Sequence, residues 1–214
     1  LSAMAGELLS RRYGDAVRLE LAQDCPVKVQ EFLREQFELE PGDVYRVDGP
    51  VNLHRLDALH GLVDRSGLRF APFRPARPRR FAAGLNIFDA LREGDAIFHH
   101  PFESFGPVID MVAQAADDPQ VLAMKQTLYR VGPDSPVVNA LVRAAETGKE
   151  VTAVVELRAR FDEARNIRMA NRLAEAGANV VYGVVGYKCH AKMLMVVRRE
   201  GASIRRYCHL GTGN

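Results

Sequence analysis

The chain has little cysteine, no long apolar run and almost no net charge. Its three cysteines, Cys25, Cys189 and Cys208, are far apart and form no CxxC pair, which excludes a disulfide framework and gives no zinc site. They read as reduced thiols. No apolar run approaches the roughly 18 residues of a spanning helix, and the opening LSAMAGELLSRRYG has neither the basic start nor the apolar stretch of a secretory signal. These absences predict a globular, cytoplasmic protein. A formal net charge of +2 is too small to draw the whole molecule to a polyanion, so such binding has to come from local clustering. The cations are mostly arginine, which suits phosphate recognition but equally follows from a GC-rich genome. Internal repeats, low-complexity tracts and heptad arrays are also lacking.

What is present is enough apolar material for a real core: 47% of 214 residues, in one large domain or two small ones. The first 75 residues mix elements. They predict a helix near Ala3 to Arg12, a strand through Val17 to Leu21, a helix from Pro26 to Phe37, a strand near Val44 to Val47 and a helix near Leu53 to Val63. FAPFRPARPRRF, residues 70 to 81, holds three prolines and four arginines and reads as an extended linker. Its Arg77, Arg79 and Arg80 fit a solvated basic segment better than a polyanion path.

Beyond the linker the pattern alternates. Strands are expected at AIFHH, VLAMKQTLYR, EVTAVVEL, NVVYGVV, HAKMLMVV and SIRRYCHL, with helices at IFDALREG, Ser104 to Ala116, Ser135 to Thr147 and Asp162 to Ala176. Such alternation implies an α/β fold: a mainly parallel sheet, covered by helices on both faces, with ligands gathered at the carboxyl ends of its strands. The ends, inside a helix-like run and on HLGTGN after an uncovered strand, point to a piece of a longer protein.

The stretch YKCHAKMLMVV carries Lys188, His190 and Lys192 on alternate positions, which in a strand share one face. Neighbouring ammonium groups favour the neutral imidazole, whose lone pair suits attack on an anionic phosphoryl group while the lysines offset the oxygens' charge. A solvated strand face with a stray histidine fits the same pattern. Arg130, ending KQTLYR, and Arg158 and Arg160, within ELRARFDE, stand just past strand ends where a guanidinium can grip phosphate. The bland alternatives are a solvated loop end for Arg130 and a pairing with Asp162 or Glu163 for Arg160. Lys125 sits inside an apolar strand and needs an anion or carboxylate, which makes it a secondary candidate for a phosphate channel. His99 and His100 read as structural, and His54 and His60 as surface residues.

His190-Ala191-Lys192 and Gly211-Thr212-Gly213-Asn214 resemble half of the phospholipase D signature. Val197 stands where that family has its aspartate, and no second His-x-Lys follows, which argues against ordinary diester hydrolysis. The ordered set KQTLYR, ELRARFDE and CHAK, within HHPFESFGPVIDMV to YCHLGTGN, resembles the long-chain polyphosphate kinase family, which is built with phospholipase D-like domains. DVYRVDGPVNLHRL and FAPFRPARPRRF resemble its head domain.

The resemblance implies part of an α+β head domain over 1–77 and a first phospholipase D-like catalytic domain over 78–214, truncated at its carboxyl end. It implies reversible transfer of the terminal phosphate of ATP to inorganic polyphosphate. His190 would be the histidine that becomes phosphorylated and His209 a supporting one. Arg130 and Arg160 would lie at the magnesium and phosphate site, holding phosphate oxygens that in turn hold Mg2+, with Lys188, Lys192 and Lys125 as further phosphate contacts. ATP, ADP and polyphosphate are the expected partners, with no nucleic acid; a homo-oligomer and peripheral contact with the inner membrane are also implied. The piece alone is expected to be inactive. A phospholipase D-like phosphodiesterase or nuclease and a non-catalytic polyanion-binding module are the alternatives.

Overall fold

A computed structural model describes residues 14–132, 134–157, 159, 162–184 and 186–211. The helix expected near Ala3 to Arg12 therefore lies outside the described residues, as do Arg158, Arg160, Thr212, Gly213 and Asn214. The described chain divides at Phe73 and Arg74.

Before that division, β1 (Leu19–Ala22) and β2 (Val44–Val47) pair in parallel through a crossover that contains α1 (Val27–Gln36). Pro26 sits at the helix start, where its missing N–H costs nothing. The expected helix over 53–63 splits into a 3₁₀ segment, Leu53–Ala58, and one α turn, α2 (Leu59–Leu62).

After it, the Pro/Arg segment is tied down, contrary to a solvated linker. Arg77 pairs with Asp110 and donates to Phe81 O, while Arg80 donates to Ala90 O and Gly94 O at the end of α3 (Ile87–Arg92). These arginines close orphan carbonyls and have structural work. Asn86 caps α3 by accepting from Phe88 N and Asp89 N. The strand expected at AIFHH does not form: His99 N donates to Glu103 Oε2, and His100 Nδ1 lies 2.8 Å from Glu103 O. Local turn bonds take the groups that a ladder would use.

The main sheet runs β5-β4-β3-β6-β7, with β3 (Val121–Leu128), β4 (Glu150–Val155), β5 (Asn179–Tyr182), β6 (Lys192–Glu200) and β7 (Ser203–Gly211). Only β6 opposes the others, so four of the five strands share one direction. Helix α4 (Gly106–Asp117) precedes β3; α5 (Pro136–Glu146) and α6 (Glu163–Glu175) form the crossovers to β4 and β5. The register places Met124, Val151, Val196 and Tyr207 in one row and Leu194 and Ala153 in the next. All are buried, and they join Phe88, Val112, Leu141 and Leu173 of the helices in one core. The opposite face, with Val154, Met195 and Val197, is half exposed. The sequence predicts cover on both faces, but helices α3 to α6 of this unit pack on one. Right-handed crossovers that advance steadily from β3 to β5 deliver consecutive helices to the same side.

Candidate functional site

The carboxyl ends of β3 and β4 meet the segment that enters β6. Strand β3 stops at Leu128, so Tyr129 and Arg130 project beyond the sheet. Gly183 (φ 64°) and Gly186 (φ 81°) turn the chain after β5, and β6 begins only at Lys192. Lys188 and His190 are therefore not strand residues, and alternation is not what unites them. A left-handed turn supplied by two glycines breaks the ladder first.

The three residues converge by another route, around the Tyr129 ring. The His190 ring stands edge-on to it with centroids 4.8 Å apart. Lys192 Nζ lies 5.0 Å from its centroid, Lys188 Nζ 5.4 Å and Arg130 Cζ 5.5 Å, all within cation–π range. Lys192 Nζ is also 3.1 Å from His190 Nε2 and donates to His190 O at 2.8 Å. An ammonium has donors only, so at that distance Nε2 is the acceptor and carries the lone pair. His190 is exposed. Three cations about one ring repel one another, and an anion placed among them would lower the energy of all three.

Arg130 is half exposed, with Nε 3.4 Å from Asp162 Oδ2. Asp162 also accepts from Arg165 at 2.9 Å. Asp162 is only 17% exposed, while the half-exposed Arg130 guanidinium stays open to an anion approaching from solvent. Among the described residues no group of three or more His, Cys, Asp or Glu stands together to cage a metal ion. Magnesium is commonly held by one or two carboxylates plus substrate phosphates, and a guanidinium such as that of Arg130, having donors only, would meet such an ion only through phosphate oxygens.

His209 lies on β7 opposite Leu194, with its ring 6.0 Å from that of Phe105. A Cβ built on Gly211 would stand 3.3 Å from His209 Nε2 and 3.5 Å from Lys192 Cβ, so His209 borders Lys192 across a glycine. Burial, then the charge of His100, lowers the His209 pKa. Lys125 is not brought to this group. It is 43% exposed and reaches Glu150 Oε1 at 3.5 Å, so it does not occupy the buried position that would have demanded an anion.

Sequence reasoning missed Tyr129, Thr127, Glu156 and Asn166. Glu156, 2% exposed, accepts from Cys189 N at 2.7 Å. Asn166 Nδ2 donates to Tyr129 O and Glu156 O at 2.8 and 2.9 Å. A glutamate closing the apolar run EVTAVV was the available signal. The Cys189 thiol is pushed up by burial and by the Glu156 charge against the opposing Lys192, which keeps it from competing as a nucleophile.

Residues 86–214 match the family model described as polyphosphate kinase C-terminal domain 1, and residues 1–59 that of the polyphosphate kinase middle domain. A polyphosphate kinase of Pseudomonas aeruginosa is 57% identical over 212 residues, 99% of this chain and 31% of its own length. One from Neisseria gonorrhoeae is 53% identical over 213 residues, 100% of this chain and 31% of its own. The crystal structure of polyphosphate kinase from Porphyromonas gingivalis aligns with a TM-score of 0.68 at 26% identity, over 88% of this chain and 28% of that one. The chain thus spans less than a third of these relatives, and over that span it belongs to the polyphosphate kinase family.

Proposed function

We propose that this chain carries the phosphoryl-accepting histidine of a polyphosphate kinase that moves the terminal phosphate of ATP reversibly to inorganic polyphosphate. The observation that carries the reading is an exposed His190 whose Nε2 lone pair faces Lys192 at 3.1 Å, in a ring of cations about Tyr129. The kinase names of the relatives support it.

The step would run as follows in terms of bonds. The triphosphate settles among Lys188, Lys192 and Arg130, and the Lys192 ammonium leaves Nε2 for a phosphate oxygen. The freed nitrogen bonds to the γ-phosphorus as the bond to the bridging oxygen breaks, and that electron pair departs with ADP. The terminal oxygen of a polyphosphate chain then attacks the phosphohistidine and returns the imidazole. Splitting the transfer lets one histidine serve donor and acceptor in turn. Bound magnesium supplies charge neutralisation on the nucleotide phosphates. Arg160 and His209 take their phosphate-site and supporting roles from the resemblance alone. For the whole protein the reading extends to a homo-oligomer with cytoplasmic substrates and peripheral membrane contact.

The test is to incubate protein of the relatives' length with γ-labelled ATP. Acid-labile, base-stable label should appear on His190 and vanish in His190→Ala together with polymer synthesis. Label or full activity persisting in that variant would end the assignment.

A further inference from the structure

The cluster of cations explains what His190 meets, but not what holds it still. Residues 188–191 lie outside any strand, so no ladder fixes them. The β3–β6 pairing ends at Gln126 and Leu194. Beyond that point side chains take over from backbone. Thr127 Oγ1 donates to Ala191 O at 2.6 Å and accepts from Met193 N at 2.9 Å. On the other side of His190, the Glu156 carboxylate accepts from Cys189 N at 2.7 Å.

We infer that Thr127 and Glu156 are positioning residues for His190: they grip the backbone of the segment on either side of it, at Ala191 O and Met193 N and at Cys189 N, and hold its imidazole against Tyr129. The inference rests on the phosphohistidine reading and extends it to the backbone.

Three features favour a role in the reaction over one in the fold alone. Ala191 and Met193 are exposed, so water could satisfy their backbone groups if Thr127 did not. Glu156 is nine-tenths and more buried, and a buried carboxylate is expensive where a neutral amide would accept the same bond. Its negative charge stands behind a site that gathers three cations, which keeps them together before an anionic substrate arrives. Asn166, itself fully buried, ties the segment that carries Tyr129 to Glu156 by donating to Tyr129 O and Glu156 O. Cations, nucleophile and counter-charge are thus one connected unit.

The experiment compares Thr127→Val, Glu156→Gln and Glu156→Ala in protein of the relatives' length, reading four quantities: rate of histidine labelling, KM for ATP, melting temperature and hydrogen exchange of the 188–191 amides. Valine keeps the shape and strand preference of threonine and removes only the hydroxyl. A misplacement of about 1 Å costs on the order of 100-fold in rate, so Thr127→Val and Glu156→Ala should lower labelling by up to that factor. KM for ATP should change far less, exchange at 188–191 should quicken, and Thr127→Val should melt like the parent. Glu156→Gln should restore slow exchange at Cys189 and recover part of the labelling rate, because its amide oxygen still accepts from Cys189 N while the counter-charge is gone. Wild-type labelling rates in Thr127→Val and Glu156→Ala would overturn the inference. So would losses that follow melting temperature in all three variants without rescue by glutamine. Failure of the parent enzyme to label would strike the phosphohistidine reading alone. Exchange at Cys189 would still decide the clamp, and unchanged exchange in Glu156→Ala would remove it.

Discussion

His209 shows how one residue's surroundings set its chemistry. Burial between β7 and Phe105, with His100 beyond, holds its pKa below the ordinary value of 6.5. A histidine whose folded pKa is depressed is bound to a proton more readily in the unfolded chain. The stability it contributes is present above 6.5 and is lost as pH falls through the folded value. His209→Asn should therefore flatten the fall in melting temperature just below pH 6.5. An unchanged slope in that window would show that His209 does not titrate with folding. The same reasoning places its imidazole, neutral at physiological pH, beside Lys192, where it adds no fourth positive charge to the cluster of Arg130, Lys188 and Lys192. At this scale sequence and structure bring three of the same residues together by different routes. His190, Lys188 and Lys192 were chosen for sharing a strand face, yet glycine turns remove that strand and an unremarked tyrosine collects them.

Among elements, the β6–β7 hairpin is braced by a half-buried ionic network. Arg198 bonds Asp118 at 2.7 Å and Glu200 at 3.0 Å, and Glu200 also accepts from Tyr207. The Tyr207 hydrogen bond is the largest influence on Glu200, followed by opposing burial and then Arg198, Arg205 and Arg92, and together they lower its pKa from 4.5. Burial pushes Asp118 up, but the bonds from Arg198 and Gln120 N outweigh it and hold it below 3.8. Carboxyls depressed in this way stabilise the fold above their unfolded values and cease to do so as pH falls through the folded ones. Glu200→Gln should flatten the acid limb below about pH 4.5 while leaving the His209 window intact. A variant that loses both windows, or neither, would contradict the separation. Elements with strong apolar runs, such as β3, β4 and β2, lie close to where the sequence put them. The AIFHH stretch did not become a strand, although its composition suits one, because its polar groups close on Glu103 and Ile97 stays 94% exposed.

For the molecule as a whole, the sheet presents cations at its carboxyl end while the chain spans 31% of its curated relatives. The isolated 214-residue chain should bind polyphosphate, with affinity that falls as salt rises through counterion release, by analogy with nucleic-acid backbones. It should transfer no phosphate. Filter binding across a salt series and a labelled-ATP assay check both halves; ATP-dependent chain growth by this piece would refute the second, and salt-independent binding the first.

Sequence alone determined the alternation of elements, the separate character of the first 75 residues and the set of candidate phosphate ligands, since each is written in local periodicity or in a contiguous motif. Only tertiary structure decided which candidates meet. Lys125 went to Glu150, Arg77 and Arg80 went to carbonyls and Asp110, and helices α3 to α6 settled on one face of the sheet. The support of His190 comes from Thr127, 64 residues from the Ala191 that it grips, and from Glu156. Contacts of that separation depend on strand order and register, which are collective properties of the packed sheet and leave no mark on the spacing of neighbouring residues.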